Sequence, residues 1–564
     1  MVGSSVPELR TPAWGDFVVL GLVAAVLYVG VVLARHAPTI IGGPEISLDV
    51  SALPLYATLS LGRMAAAYAL SLGFTLVYGH VAARHKAAER LLMPLLDVLQ
   101  SVPILSFLPV VLLSLVAFLP EEIAVELAAI VLLFTSQAWN LTFAWFQSLS
   151  TEPAELREAA TTFRFSGWLR FRTLELPHAA IAIVWNSMMS WAGGWFFLMA
   201  AESFTLGERD FRLPGLGSYL HAAAEGGDIH AVILGLGALV LLIIVLDQLV
   251  WRPLIAWSHR FKLETVTGDE APSSWFLRVL RSSRMVGWAG SRAAALLERA
   301  DVRLSRSTGA RTISRRSHRH GAWLLGGVLV ASVLYGAFRA GLMLLDVRGQ
   351  GWAEIGLALL ATLGRVLAAL VIAALWTIPL GVVIGMNRRV AAVLQPLVQI
   401  AASIPATALF PVVLAVLLAL PFGLDLAAVA LMLMGTQWYL LFNVIAGATA
   451  IPEPLRHTST LMGLRGWLRW RTLVLPSIFP HLITGAITAT GGAWNASIVA
   501  EYLQFGGETR STIGIGALIA RATAHGDFAL LLAATLAMIA AVVLLNRLVW
   551  RPLYRVAESR YRME

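Results

Sequence analysis

Charged side chains at the ends of otherwise apolar stretches are the residues of this chain that could act most directly on a solute. Glu202 follows Ala200-Ala201, and Glu501 follows Val499-Ala500. If these stretches cross a membrane, a carboxylate at the bilayer centre costs roughly 2.5–3.5 kcal/mol. We therefore expect both glutamates at the outer water boundary rather than buried, and we favour a structural or gating role over direct contact with a solute.

Two arginines and two glutamines extend this set of candidates. Arg63 and Arg365 lie near the outer ends of apolar stretches, where they could raise the positive potential and attract an anion. Snorkelling towards lipid headgroups is an equally acceptable interpretation. Gln137 and Gln437 lie inside apolar stretches, where they could line a path, although hydrogen bonding between helices is their more ordinary use. All four, with the two glutamates, stay candidates for a translocation path or gate.

The residues needed for several kinds of catalysis are absent from the sequence. There is no cysteine, which excludes disulfides, thiolate metal sites and cysteine nucleophiles. No GxxxxGK(S/T) phosphate-binding loop occurs, and neither Lys86 nor Lys262 follows a suitable glycine. We therefore predict no catalytic residue, no metal site and no cofactor in this chain.

The composition indicates the class of protein in which these residues must be positioned. The chain is 58% hydrophobic and 13% charged, with a mean hydropathy of +0.76, which does not suit a soluble domain. Several apolar stretches reach the roughly 20 residues that a helix needs to cross a bilayer while satisfying its own backbone. We predict an all-α integral membrane protein.

The sequence contains two copies of one unit in the same order. Leu61-Gly62-Arg63 recurs as Leu363-Gly364-Arg365, an offset of 302 that Pro103 and Pro405 share. Further on, GWLRFRTLELP ending at Pro177 returns as GWLRWRTLVLP ending at Pro476, an offset of 299. This is a parallel duplication, and we expect two pseudo-symmetric halves facing each other across a central axis.

Each copy is predicted to contain six spans, about twelve in all. They lie near 17–34, 56–80, 92–118, 124–147, 177–200 and 229–250, and near 322–345, 356–385, 391–420, 424–448, 477–500 and 527–549. We interpret the first as a retained span, because no small-residue cleavage site follows it. Arginine-rich loops then fall on one side, so the positive-inside rule predicts that both termini are cytoplasmic.

We predict three domains: a first permease half at 1–257, a basic linker at 258–320 and a second half at 321–564. Residues 259–320 hold 13 Arg/Lys against five Asp/Glu, which is typical of a cytoplasmic segment. Runs around Trp275 to Leu280 and at Leu296-Leu297 resemble basic amphipathic helices that lie on an anionic leaflet. A solvated tether is the alternative.

The loop between the fourth and fifth predicted spans carries the most specific motif. In the first copy it contains Glu158-Ala159-Ala160, then Arg164, Leu174 and Leu176-Pro177; in the second it contains His457-Thr458-Ser459, then Gly463, Leu473 and Leu475-Pro476. This resembles the EAA loop of bacterial ABC importer permeases, with a glycine and the Leu-Pro pair at fixed spacing. The first copy keeps the EAA triplet and replaces the glycine, whereas the second keeps the glycine and loses the triplet. An amphipathic loop required only for topology is the alternative.

The resemblance is closest to permeases of the nitrate, sulfonate, taurine and bicarbonate group, and it rests also on Ser101-Val102-Pro103 and Ser403-Ile404-Pro405. It implies a type I ABC importer (MetI-like) fold in the bacterial inner membrane. It further implies two ATPase subunits, which hold ATP and Mg²⁺ and dock at residues 151–176 and 450–475, and a periplasmic solute-binding protein. Because these permeases are usually dimers, one fused chain is expected to replace the dimer. Leu-Pro is expected to end the coupling helix and begin the next span.

The resemblance makes an importer for a small solute, an oxyanion or a sulfonate-like anion, the leading hypothesis. A secondary transporter driven by an ion gradient is the alternative. It would need intramembrane carboxylates or broken helices around an ion site, of which the sequence offers few.

Overall fold

The structure, a computed structural model, describes residues 14–38, 42–206, 209–261, 274–283, 288, 292, 319–505 and 508–560. The described chain is helical apart from two short hairpins. The helices of the first half are α1 (Trp14–Ala34), α2 (Leu53–Arg84), α3 (Lys86–Ser101), α4 (Leu108–Val116), α5 (Glu121–Ser150), α6 (Ala154–Thr162), α7 (Gly167–Arg170), α8 (Leu176–Glu202), α9 (Leu216–Glu225), α10 (Ile229–Leu246) and α11 (Arg252–Ser258).

The second half repeats this order after the linker, in which the structure describes the helix α12 (Trp275–Ser282). Its helices are α13 (Arg319–Leu345), α14 (Gly349–Met386), α15 (Arg388–Ser403), α16 (Ala406–Leu417), α17 (Gly423–Thr449), α18 (Glu453–Leu461), α19 (Gly466–Arg469), α20 (Leu475–Glu501), α21 (Ile515–Ala524), α22 (Phe528–Leu545) and α23 (Arg551–Arg560). The common order confirms that the duplication is parallel.

An antiparallel hairpin follows α8 in the first half and α20 in the second. Strands β1 (Thr205–Leu206) and β2 (Arg209–Asp210) pair Thr205 with Asp210. Strands β3 (Tyr502–Phe505) and β4 (Glu508–Ser511) pair Tyr502 with Ser511. We call this side of the molecule the hairpin end and the opposite side, where α6 and α18 lie, the loop end.

Seven helices of the described residues are long and apolar enough to cross a membrane. They are Val50–Arg84, Glu121–Ser150, Ile229–Phe261, Gly349–Met386, Gly423–Thr449, Gly466–Glu501 and Phe528–Ala557. The helices α1, α8 and α13, of 21, 27 and 27 residues, cover three further predicted spans. The all-α membrane fold predicted from the sequence is confirmed.

The third predicted span of each half is wrong as a single helix. Residues 92–118 divide into α3 and α4, and residues 391–420 divide into α15 and α16. The breaks fall at Val102 and Ile404, which are extended (ψ 125° and 118°) because each precedes a proline. The helix α4 has nine residues and reaches only about 13 Å, too short to cross a bilayer alone.

Four π-helical turns precede prolines in the long helices. They comprise Phe171–Glu175 before Pro177, Asp247–Trp251 before Pro253, Trp470–Val474 before Pro476, and Asn546–Trp550 before Pro552. Proline lacks an N–H and its ring clashes with the carbonyl four residues earlier, so widening the preceding turn lets the helix continue. The Leu-Pro pair therefore begins α8 and α20 as expected, but it does not end the predicted coupling helix, because α6 already stops at Thr162 and α18 at Leu461.

The two halves pack through their short apolar helices, each of which contacts helices of the other half. In the second half α16 contacts α8 and α9 of the first half. In the first half, α4 and the 3-10 turn Ile104–Phe107 contact α21 and α20 of the second. One core cluster contains buried residues of both halves, from Val23 in the first to Val543 in the second. The interface between the halves therefore belongs to the core of the molecule.

The first helices of the two halves also pack against each other, through small residues. A Cβ on Gly336 of α13 would lie 2.8 Å from the Cβ of Ala25 on α1, so the two backbones are in close contact. Arg339 Nε donates a hydrogen bond to Tyr28 Oη at 3.2 Å across the same pair. Small residues are the usual means of bringing two membrane helices this close.

The linker is described only in part. Helix α12 covers the first predicted amphipathic run, with Trp275 and Val279 exposed and Ser274 capping its N-terminus. Leu296 and Leu297 lie outside the described residues. The domain boundaries at 257 and 320 stay a prediction.

Replacing Gly336 by leucine should loosen the packing of α1 on α13, because the new side chain meets the backbone of Ala25. We expect a melting temperature in detergent several degrees below that of the unmodified chain, equivalent to roughly 1–3 kcal/mol of overpacking. Gly341→Leu is the matched control, since a Cβ there meets nothing within 4 Å. Equal melting temperatures for the two variants would contradict the packing.

Candidate functional site

At the hairpin end of the first half, a buried carboxylate joins four elements. Glu202, at the end of α8, is 0% exposed. Its Oε1 accepts hydrogen bonds from Ser60 Oγ and Arg63 Nη1, both at 2.7 Å, and its Oε2 accepts one from the Gly217 N–H at 2.8 Å. Arg63 also donates to both carboxylate oxygens of Glu126 on α5. The charge of Glu202 is thus compensated by a guanidinium and by the first turn of α9.

The second half builds the same cluster with equivalent residues. Glu501 is 0% exposed and accepts from Thr362 Oγ1 at 2.7 Å, from Arg365 Nη1 at 2.9 Å and from the Gly516 N–H at 2.9 Å. Arg365 Nη2 donates to Asp425 at 2.5 Å. The second acidic partners are alike in exposure, with Glu126 40% and Asp425 44% exposed at the side chain. They differ in contacts, because Arg365 Nη2 also donates to Thr512 Oγ1 at 2.8 Å.

The structure corrects the expectation that these glutamates lie at the water boundary. Both are buried, because each has the cation and the two hydrogen-bond donors that a buried carboxylate needs. Neither arginine projects freely into a mouth or towards headgroups, since Arg63 is 4% and Arg365 12% exposed and both are paired. Whether the clusters act as gates stays a prediction.

Glu126 and Asp425 were missing from the candidates derived from sequence. They stand 299 residues apart, the offset of the second part of the repeat, and each is the second acidic partner of the arginine. Searching the repeat for equivalent acidic positions would have found them.

The two candidate glutamines lie in different environments. Gln137 is fully buried, and its amide nitrogen contacts the sulfur of Met64 on α2 at 3.7 Å. Gln437 is half-buried on α17. Gln137 therefore makes a contact between α5 and α2. That either glutamine lines a translocation path remains a prediction.

A cavity of about 80 Å³ lies between the halves at the hairpin end. Equivalent residues of both halves line it, among them Met199 with Ile498 and Pro109 with Pro411. Its polar side chains are Ser203, Thr205, His221, Thr407 and Tyr502. None of the six predicted path residues is among the described residues that line it.

The cavity is not symmetric in chemistry. His221 of α9 corresponds to Ala520 of α21, and Ser203 corresponds to Tyr502. Burial is the largest influence on His221 and lowers the pKa of its imidazole, which favours the neutral form. The wall of the cavity is therefore mainly apolar, with uncharged hydrogen-bonding groups.

At the loop end, α6 presents the first EAA-type segment, residues 151–176, which we call the first loop segment. The N–H of Arg164 donates to Thr161 and that of Phe165 to Ala160, the pattern of a Schellman C-cap. Arg164 therefore adopts a left-handed conformation with φ 52°. Three of the predicted coupling residues are exposed: Glu158, Arg164 and Leu176. Ala160 is buried, and Ala159 and Pro177 are half-buried.

The second loop segment, residues 450–475, has the same cap. Gly463 donates to Thr460 and Leu464 to Ser459, with φ 67° at Gly463. The glycine of the motif thus occupies the position of the cap that needs a left-handed backbone, a conformation that most other residues adopt at a cost of about 1–2 kcal/mol. Here His457, Thr458 and Gly463 are exposed, Ser459 is buried, and Leu475 and Pro476 are half-buried.

The first loop segment is anchored to the membrane helices by buried charges, which we call the ionic anchor. Glu152 and Glu175 are 3% and 1% exposed. Arg170 Nη2 contacts Glu152 at 3.0 Å and its Nε contacts Glu175 at 3.1 Å. Arg84, at the end of α2, pairs with both glutamates.

The second loop segment has an apolar anchor at the equivalent positions. Met386, Ile451 and Val474 stand where the first half has Arg84, Glu152 and Glu175. Ile451 and Val474 are each 2% exposed, and Val474 packs in a cluster with Val382. The two loop segments are therefore alike in their helix and its cap, and different in the chemistry that holds them.

Removing Arg63 should destabilise the chain strongly, because it leaves Glu202 buried without its cation. We expect Arg63→Met to lower the free energy of unfolding by roughly 3–5 kcal/mol. Arg63→Met combined with Glu202→Gln should recover part of this loss, and Arg365→Met should cost about as much as Arg63→Met because Glu501 is as fully buried as Glu202. Thermal unfolding followed by tryptophan fluorescence measures all three, and a single variant as stable as the unmodified chain would contradict the pairing.

The ionic anchor can be tested by copying the apolar anchor onto it. Glu175→Val alone should destabilise the chain by about 2 kcal/mol, because Arg84 and Arg170 lose a buried acceptor. The triple variant Arg84→Met, Glu152→Ile, Glu175→Val reproduces residues 386, 451 and 474 and should regain most of that stability. A triple variant less stable than the single one, measured in the same melting experiment, would refute the equivalence of the two anchors.

Comparisons with known proteins agree with this architecture. The nitrate import permease protein NrtB of Synechocystis is 28% identical over 165 residues, which cover 29% of this chain and 56% of the relative. The bicarbonate transport system permease protein CmpB of Synechococcus elongatus is 30% identical over 173 residues, 30% of this chain and 57% of the relative. The taurine transport system permease protein TauC of Escherichia coli is 26% identical over 219 residues, 38% of this chain and 74% of the relative. The chain thus spans a little over half the length of the first two.

The family described as binding-protein-dependent transport system inner membrane component matches the chain twice. The matched residues are 73–250 and 377–562, together more than half of the chain. Both matches include a loop segment and the buried glutamate that follows it. The chain therefore belongs to the family of binding-protein-dependent transport system inner membrane components, with two copies of the family domain in one polypeptide.

Proposed function

We propose that this chain is the permease subunit of an ATP-driven importer and forms the translocation pathway for a small solute. The observation that carries the proposal is the pair of exposed helices α6 and α18. They lie at the same end of two packed halves, and each is capped and anchored so that it can be pushed as a rigid element.

Two ATPase subunits would dock on the two loop segments and would hold the ATP and Mg²⁺. The route for the force is short. In the first half the ionic anchor ties the loop segment to α2 and α8, and α8 runs to Glu202 at the hairpin end. Movement of α6 would thus displace the cluster of Arg63 and Glu202, and rocking of the halves would alternate access to the pathway.

The loop end would be cytoplasmic, with both termini inside. The exposed arginine at the tip of the first loop segment, Arg164, and Arg465 in the second support this orientation. A periplasmic solute-binding protein would then deliver the solute at the hairpin end. The linker of residues 258–320 would lie on the cytoplasmic side.

The cavity between the halves is the part of the pathway that we assign to the solute. Its position supports this, because equivalent residues of both halves line it. Relatives named for nitrate, bicarbonate and taurine support a small oxyanion or sulfonate-like anion as the cargo. The six predicted residues, which do not line the cavity, would gate this pathway by moving the helices that do.

Purification of the tagged chain from its host in mild detergent tests the proposal. We expect ATPase subunits to copurify, and mass spectrometry of the complex would identify them. Isolation of the chain without any ATPase, together with uptake that persists when ATP is removed and stops when the proton gradient collapses, would overturn it.

Changes at the docking surfaces should reduce transport without unfolding the chain. Glu158→Lys reverses an exposed charge on α6, and Gly463→Leu forces a branched side chain into the left-handed cap of α18. Loss of about 1.4 kcal/mol at a docking interface corresponds to a tenfold weaker complex. We therefore expect uptake of nitrate, bicarbonate or taurine, whichever the complex carries, to fall by about that factor.

The control is Glu45→Lys, which reverses an exposed charge at the hairpin end. Each variant should melt within a few degrees of the unmodified chain. Unchanged uptake in both loop variants would remove these segments from the coupling mechanism.

A further inference from the structure

The two loop segments have helices of the same length, α6 and α18, with the same cap and different surfaces. Residue by residue, the segments correspond at an offset of 299, and the helices α6 and α18 end in the same cap. If the halves faced two copies of one ATPase, both segments would have to fit the same groove. The surface chemistry of the segments can therefore be read as information about the two partners.

The exposed face of α6 is charged. Glu155, Arg157 and Glu158 are all exposed on it, and the helix carries no other charged residue. Arg164 and Phe163, which is 74% exposed, form its tip. A partner of α6 needs cationic or hydrogen-bond donor groups opposite the two glutamates.

The helix α18 carries one acidic residue, Glu453 in its first turn, and ends in an exposed apolar side chain, Leu461. Pro454 and His457 stand where α6 has Glu155 and Glu158. Leu461 and Met462 are 88% and 70% exposed. In the first loop segment Thr162 takes the position of Leu461, whereas the position of Met462 is taken by Phe163, which is also apolar and exposed. A partner of α18 therefore needs an apolar pocket for Leu461 that a partner of α6 does not need.

One groove does not satisfy both surfaces. A cation placed for Glu158 would be desolvated over His457 without a counter-charge, and one placed for Glu155 would find the carboxylate moved by one residue, to Glu453. This is the kind of mismatch that discriminates between partners. An apolar pocket for Leu461 would likewise meet the hydroxyl of Thr162. The anchors of the two segments differ too, one being ionic and one apolar. The two sites therefore differ both at the surface and where they contact the membrane helices.

We propose that the two loop segments bind two non-identical ATPase subunits, the first with a groove that has a basic rim and the second with a groove that has an apolar pocket. This inference rests on the proposed function and goes further, since it assigns each partner to one half. Fusion of the halves into one chain keeps the two docking sites together in a one-to-one ratio.

Single cysteines test the assignment, because the natural chain contains none. Thr161 and Thr460 are equivalent, of the same residue type and both exposed. Thr161→Cys and Thr460→Cys would each be labelled with a cysteine-directed photocrosslinker in the complete complex in host membranes. Mass spectrometry would then identify the crosslinked polypeptide. Ser47→Cys, exposed at the hairpin end, is the control and should capture no ATPase.

We expect the two threonine positions to capture two different ATPase polypeptides. Capture of the same polypeptide from both would overturn the inference and leave the proposed function intact. Capture of no ATPase from either position would overturn the proposed function, and the inference with it.

A chimera provides a second readout. Replacing residues 154–165 by the sequence of 453–464 gives a chain with two segments of the second type on an unchanged membrane core. Its complex should contain two copies of the second ATPase and none of the first. A chimera that still retains the first ATPase in the original ratio would contradict the proposal.

Discussion

A carboxylate buried near the end of a membrane helix is the constraint on which each half depends. Glu202 and Glu501 have no access to water, so each needs a cation and donors from elsewhere in the fold. The arginine comes from the second long helix, the hydroxyl from one turn earlier, and the N–H from the start of the short helix after the hairpin. One charge therefore determines how three elements meet.

The same long helix connects this cluster to the opposite end of the molecule. Helix α8 begins at Leu176, directly after the ionic anchor, and ends at Glu202. The π turn before Pro177 lets the chain pass from the loop end into α8 without a break. A rigid rod with polar attachments at both ends is suited to transmit a displacement across a membrane.

Duplication inside one chain has let the halves diverge where a dimer of identical chains could not. Arg164 and Gly463 occupy the same left-handed position, and only the glycine adopts it without strain. The ionic anchor and the apolar anchor hold helices of the same length, α6 and α18. The hairpin-end clusters have remained alike, since a change in either member would leave a buried charge without its partner.

The repeat, the apolar segments and the register of the two loop segments follow from the sequence alone, because they are local patterns of residue type and spacing. The breaks at Val102 and Ile404 were also signalled by Pro103 and Pro405, although an apolar count across 92–118 concealed them. The partners of the buried charges could not be obtained this way. Arg63, Glu126 and Glu202 are up to 139 residues apart, and only the packing of α2, α5 and α8 brings them within hydrogen-bonding distance and makes burial of the carboxylate affordable in energy.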